Sequence, residues 1–282
     1  LQRASARVPA GAVLNAEEGG PIAAGPDLPA QMRAALSAMT GAFMTANGLV
    51  DYRALAESSA CRDYVHLAAG LRDFDLNALS SDAARAAFWI NLYNSLILHA
   101  IIDRSLRHTS SRGLFERAAY AVGGFRFSAN DVEHGILRAN RAHLLALGPH
   151  WRRSDPRLAF RVTALDPRIH FALNCAARSC PPIRAYTPDR LDEQLDLAAR
   201  AFLNGGQLVL SRPQMRVELP RLFAWYGPDF GGGWLGLWGR ASLLRYAARF
   251  LTDAGDHAFI AANAQRLRVR FLPYDWSLND AG

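Results

Sequence analysis

Apolar residues recur at helical spacing through most of the chain. Residues 30–46 are strong helix formers with apolar positions on one face, and the pattern stops at Asn47-Gly48. Val50 to Leu55 leads into a second helical region that runs through Cys61 and Leu71. Ser80-Ser81-Asp82 supplies an N-cap for a helix over 83–102 that is apolar almost all round, the signature of a buried central helix. Its exceptions carry information. Asn91, Ser95 and His99 step by four and form one polar stripe, with Asn94 alongside. Buried amides and imidazoles require partners, so the stripe either ties down neighbouring loop backbone or lines a site.

Further along, Gly123-Gly124-Phe125-Arg126-Phe127 predicts a short strand, and Ser128 with Asp131 resembles a capping box. The helix opened there carries Glu133 and His134. Adjacent helical positions point about 100° apart, so each needs its own partner. Residues 144–166 read as a loop. Thr187-Pro188 starts a helix with Leu191, Leu195, Ala198 and Phe202 on one face, ended by Asn204-Gly205. Residues 207–211 and 215–219 form a hairpin pattern. A short helix containing Phe223 then leads to Gly231-Gly232-Gly233, a flexible loop without the strand–turn–helix setting of a phosphate-binding loop. Residues 239–251 are again helical, and arginine alternates with apolar residues over 266–272, as on a half-buried strand. The expected fold is a single α+β domain over 30–282. It is predominantly helical, with a small, mainly antiparallel sheet drawn from 124–127, 168–175, 207–219 and 266–272.

Residues 1–29 are rich in Ala, Gly and Pro and lack periodicity, which predicts a flexible leader dispensable for folding. A removed signal peptide fits such a start and would place the protein in the periplasm or outside the cell; a cytoplasmic chain cut at a cloning boundary fits it equally. No membrane-spanning helix is expected, because Asn91, Asn94, Ser95 and His99 interrupt the most apolar run, Ala86 to Ile102.

Composition narrows the classes. The 282 residues are half hydrophobic and one fifth charged, as in a soluble globular protein with an ample core. The net charge of +7 comes from 32 basic residues that are all arginine, a bias read as that of a GC-rich bacterial genome. These arginines are spread along the chain rather than gathered into a stripe, so nucleic acid is not an expected partner. Three cysteines without zinc-ligand spacing exclude a disulfide scaffold and a structural zinc site, and no cofactor is expected.

Candidate chemistry concentrates in 169–182. Cys175 and Cys180 lie five positions apart, and His170 and Asn174 share a face whether the run is strand or helix. Pro181-Pro182 then break it, leaving Cys180 on a rigid turn. Buried, inert thiols are the plain alternative. Five ordered stretches carry a wider resemblance: Ala87 to Asn94, Val132 to Arg138, Asp166 to Pro182, Leu191 to Leu195, and Tyr274 to Asn279. Together they resemble the domain of unknown function 547 family from about residue 30 to the C-terminus, with departures at Asn174 and Ala176, where that pattern has Val and Gly. The resemblance directs attention to Asn91, Glu133, His134, His170, Cys175, Cys180 and Asp275.

A thiolate nucleophile needs an imidazole to take its proton, a group to orient that imidazole, and donors facing the oxyanion. The leading expectation is therefore a cysteine-dependent hydrolase or acyltransferase with a papain- or transglutaminase-like fold. It would act on amide or thioester bonds of a peptide or small amide substrate. Cys180 is the expected nucleophile and His134 or His170 the base, with Glu133, Asn91 or Asp275 as orienter. The alternatives are a non-enzymatic module that binds a peptide or protein, and a thiol redox protein that cycles Cys175 and Cys180.

Overall fold

The computed structural model describes residues 13–16, 25, 27–104, 113–142 and 148–282. The expected α+β character is present: more than half of the described residues are helical, with small sheets. The chain divides into two compact units. The first takes in the chain up to Asp166, then Leu173–Leu191 and Trp276–Gly282; the second comprises Pro167–Ala172 and Asp192–Asp275.

In the first unit, α1 (Leu28–Phe43) and α2 (Tyr52–Glu57) pack on the long helix α4 (Asp82–Asp103), and α3 (Ser59–Ala69) packs on α1 and α2. The side chain of Ser81 caps α4 by accepting from the Ala84 N–H, and every residue from Ala87 to Ile101 is buried. The expectation for 83–102 thus holds closely. After α5 (Leu114–Arg117), β1 (Ala119–Val122) and β2 (Phe125–Ser128) form an antiparallel hairpin. Gly123 and Gly124 are its turn rather than part of a strand: both have positive φ, 56° and 79°, as a two-residue hairpin turn matched to strand twist requires. Ser128 and Asp131 make the reciprocal cap, Ser128 N–H to Asp131 Oδ2 at 2.9 Å and Asp131 N–H to Ser128 Oγ at 3.1 Å. The helix they open is a wide π-type turn over Asp131–Leu137, wholly buried.

Part of the expected leader is a fixed structural element. Leu14 N–H donates to the Ala119 carbonyl, and Asn15 is 2 % exposed. The Asn15 amide donates to Ala68 O and Ala121 O and accepts from Ala121 N–H. One side chain that matches the donor and acceptor of a strand edge docks this segment without any apolar periodicity. Residues 1–12, 17–24 and 26 lie outside the described residues.

In the second unit, α6 (Leu191–Phe202), whose first residue belongs to the first unit, is followed by β3 (Val209–Ser211), β4 (Arg216–Leu219) and α7 (Leu222–Trp225). α8 (Arg240–Ala248), α9 (Ala254–Asn263) and β5 (Arg268–Phe271) complete it. β3 and β4 are the expected antiparallel hairpin, and β5 adds to β4 in parallel, Arg216 opposite Arg268 and Leu219 opposite Phe271. Phe171, Phe223, Phe230 and Phe250 lie in its aromatic-rich core with Leu243 and Leu244.

One expected strand is absent. Residues 168–175 are a 3₁₀ turn, Pro167–Phe171, followed by irregular chain. Every residue from Ile169 to Asn174 is buried, so the run has no solvent face for a period of two to mark. The polar atoms of Asn174 find side-chain and loop partners instead of a ladder.

Candidate functional site

The cysteine loop belongs to the first unit, and its shape is set by asparagine. Asn94 on α4 accepts from the Asn174 N–H at 2.9 Å, pinning the start of the loop to the buried helix. The Asn174 side chain then closes the loop on itself, donating to Pro181 O at 2.6 Å and accepting from Ala176 N–H at 2.7 Å. Ala176 sits at φ 64°, in the left-handed region that L-residues other than glycine enter at a cost of roughly 1–2 kcal/mol. The far side of the loop is held by the C-terminal segment. Asn279 N–H donates to Ala176 O and Arg178 N–H to Ser277 O, in an antiparallel bridge between Ala177 and Leu278. Asn279 is in turn fixed by Tyr52, whose hydroxyl donates to its Oδ1 at 2.8 Å.

This frame places the Cys175 and Cys180 sulfurs 2.8 Å apart, each partly exposed. That is closer than ordinary packing brings two side chains, against about 2.05 Å for a formed bond. The Cys175 N–H also donates to Cys180 Sγ at 3.1 Å. A backbone donor aimed at sulfur is the kind of contact that stabilises negative charge there. The Tyr52 phenol beside them is pushed well above its ordinary range, first by burial and then by the charges of Cys180, Asp280 and Cys175, so it stays protonated. The third thiol, Cys61, is buried on α3, and burial raises its pKa.

The other candidates take separate places. Glu133 and His134 are buried in the π-type turn against α4. The Tyr93 hydroxyl reaches Glu133 Oε2 at 3.5 Å. Tyr93 and Asn94 are consecutive on α4, so the Glu133 segment and the cysteine loop attach to the same turn of one helix. His134 Nδ1 lies 3.0 Å from Arg138 Nη1. A guanidinium only donates, so Nδ1 is the acceptor and the ring proton resides on Nε2. That tautomer offers a donor, not a base, to anything facing Nε2. His170 lies in the second unit, where Nε2 bonds Asp229 Oδ2 at 2.9 Å; both side chains are sealed, and the ring stacks on Tyr226 at 3.9 Å. Asp275 is an exposed residue of the second unit.

Asn91 donates to Tyr186 O and accepts from Tyr186 N–H, both at 2.8 Å. Of the other stripe residues, Ser95 bonds back to Asn91 O, and His99 Nδ1 pairs with the Tyr120 hydroxyl, which also meets Tyr64. These polar residues tie down backbone and one another.

Two groups do more than their local motifs predict. Asn279, the last residue of the Tyr274–Asn279 motif, anchors the cysteine loop; its position inside a recognised motif was the available signal. The other is the buried Asp131 carboxylate, which accepts from Ser128 Oγ, His150 Nε2 and Trp151 Nε1 and lies 3.4 Å from Arg157. Burial alone would raise its pKa, but bonds from His150 and Ser128 and the Arg157 charge outweigh it and hold the carboxyl far below the carboxylate range. Among the described residues, no group of three or more His, Cys, Asp or Glu side chains could hold a metal ion, and no helix is long and apolar enough to cross a membrane.

Residues 76–203 match the family described as "Protein of unknown function, DUF547", bearing out the resemblance over the segment that holds α4, Glu133, His134 and both loop cysteines. No curated protein and no solved structure matches the chain.

Proposed function

We propose that the segment this chain shares with the DUF547 family is a thiol–disulfide exchange site, with Cys180 as the attacking thiol and Cys175 as the resolving one. The observation that carries it is the pair of partly exposed sulfurs held 2.8 Å apart, with a backbone N–H aimed at one of them. The Cys180 thiolate attacks one sulfur of a substrate disulfide, forming a mixed disulfide and expelling the first substrate thiolate. The Cys175 thiolate then attacks Cys180 Sγ, forming the Cys175–Cys180 bond and releasing the second. Two electrons pass to the substrate, and the two protons of the dithiol end on the released thiols. Asn174 and Asn279 hold the geometry, and the Pro181-Pro182 turn limits its drift.

Glutathione buffers of graded ratio, followed by acid quench and thiol counting, test this reading. A two-electron transition that consumes two of the three thiols supports it. The variant Cys175→Ala should accumulate a stable mixed disulfide at Cys180, and Cys180→Ala should lose exchange. Three titratable thiols at every buffer ratio would refute the reading.

A second reading is the cysteine hydrolase or acyltransferase acting on amide or thioester bonds, with a papain- or transglutaminase-like arrangement. It is favoured by the same N–H to Cys180 Sγ and by the shared attachment of the Glu133–His134 turn and the cysteine loop to α4. It requires His134 to release Arg138 before it can accept a proton. Cys175→Ala separates the two, since it should abolish redox cycling and spare hydrolysis. A module that only binds a peptide predicts neither, with both thiols alkylated slowly by iodoacetamide at neutral pH.

A further inference from the structure

The segment Gly231–Gly239 in the second unit presents an apolar tip. Leu235 is 47 % exposed, Leu237 71 % and Trp238 60 %. Three large hydrophobic side chains within four residues are a concentrated patch, where scattered single ones would need no account. The tip is built rigidly. A Cβ on Gly233 would lie 2.4 Å from the Trp238 ring, and one on Gly236 would lie 2.6 Å from the Phe271 ring. Glycine therefore lets the turn wind tightly against its own tryptophan and against β5. Gly233 N–H bonds Trp238 O, closing the turn, and Leu235 is held at φ 54°. The expected loop at Gly231–Gly233 is thus part of a turn closed by its own backbone hydrogen bond.

The exposed charge in the flanking sequence has one sign. From Pro220 to Phe250 the basic residues are Arg221, Arg240, Arg245 and Arg249, all exposed. The acidic member of that stretch, Asp229, is buried on His170. Arg240 donates from Nε to Gly236 O at 2.8 Å, fixing a guanidinium at the base of the tip. Arg221 immediately precedes α7, which packs against the same turn.

We propose that this tip docks the protein on an anionic lipid surface, with Leu235, Leu237 and Trp238 entering the interface and the arginines meeting headgroups. Trp and Leu beside basic residues are the composition that interfacial binding uses, and each arginine near an anionic surface adds to the attraction. The area favours lipid over protein: three side chains supply on the order of a few hundred Å², well below the roughly 800 Å² per partner of a stable protein interface. The inference is independent of the cysteine chemistry.

The test is co-sedimentation of the full chain with vesicles of phosphatidylcholine alone and of phosphatidylcholine with phosphatidylglycerol at seven to three. Binding to the anionic vesicles is expected, weakened by raised salt and lowered about tenfold or more in Leu237→Ser/Trp238→Ser, with an unchanged thermal melt. Tryptophan fluorescence of the unmodified chain should be quenched by brominated lipid in anionic vesicles. Trp238→Phe should remove most of that quench, a readout that survives if the double variant misfolds. Absence of binding, or equal binding by a folded double variant, overturns the proposal. So does conversion of a dimer to a monomer by the double variant without vesicle binding, which would make a second copy of the chain the occupant.

Discussion

Asn174→Ala is the perturbation that bears most directly on the cysteine loop. Asn174 is 1 % exposed, and its amide satisfies the Pro181 carbonyl and the Ala176 N–H with bonds of 2.6 and 2.7 Å. Removing the amide strands both groups away from water. Each buried orphan costs about 1–3 kcal/mol, so the variant should lose roughly 2–6 kcal/mol. That is a large share of the 5–15 kcal/mol typical of a folded protein. Ala176→Gly probes the other half of the arrangement. It relieves the left-handed strain at φ 64°, a gain of roughly 1–2 kcal/mol offset in part by the added freedom of glycine in the unfolded chain. The assay is urea denaturation of both variants, with iodoacetamide alkylation of Cys175 and Cys180 followed in parallel. Asn174→Ala should lower the midpoint and equalise the two alkylation rates, because the Cys175 N–H no longer stays aimed at Cys180 Sγ. Ala176→Gly should be neutral to mildly stabilising and leave the rates distinct. A loss below about 0.5 kcal/mol for Asn174→Ala, ordinary for an uninvolved surface site, with both alkylation rates unchanged, would refute the bracing role.

Two further outcomes follow from other buried groups. Asn15→Ala should lower the melting temperature of the full chain, corresponding to about 1–3 kcal/mol from the strand-edge groups it leaves without partners; an unchanged melt would mean that the docked segment contributes nothing. Asp131 has a depressed folded pKa, so its stabilisation is complete above the unfolded carboxyl value near 3.9 and fades as pH falls below it. Asp131→Asn should therefore be less stable at pH 7 and show a flatter acid limb below about pH 4 in thermal melts, and parallel limbs would contradict the assignment.

Local signals were legible and non-local ones were not. Helix α4 could be read because a Ser cap and an uninterrupted apolar stretch lie within its own span. The Ser128–Asp131 cap and the β3–β4 hairpin were likewise written in adjacent residues. The parallel pairing of β4 with β5 joins Arg216 to Arg268 across α7, α8 and α9, and no short window contains both. Helix α9 went unread although Asp253 caps it by accepting from Asp256 N–H, a short acidic signal before a weakly patterned run. The run at 169–174 was misread as a strand because burial on every side erases the alternation on which strand reading depends. In the site, the cysteine pair stood out as residue types. Its partners Asn174 and Asn279 gain their meaning only when the chain folds back on itself.

The asparagines show why a polar residue inside an apolar motif is weak evidence of catalysis here. A carboxamide presents one donor and one acceptor side by side, as a peptide group does. Asn91 pairs with both the N–H and the C=O of Tyr186, Asn15 with those of Ala121, and Asn140 with those of Trp151. Asn204 holds Phe250 O and Thr252 N–H in the same manner within the second unit. Each acts as a single rung of a ladder where irregular chain meets a helix or a strand edge, and each satisfies backbone groups that burial would otherwise leave costly. An aspartate would lose the donor and bring a charge, and a leucine would lose both groups, so the requirement for asparagine is met by architecture alone. With those residues accounted for, the matched segment still holds Glu133, His134 and the pair of thiols whose loop Asn94 and Asn174 shape. Two sulfurs 2.8 Å apart with a backbone donor on Cys180 support the proposed sulfur–sulfur exchange, and the His134 ring in the same matched segment accepts a hydrogen bond from Arg138.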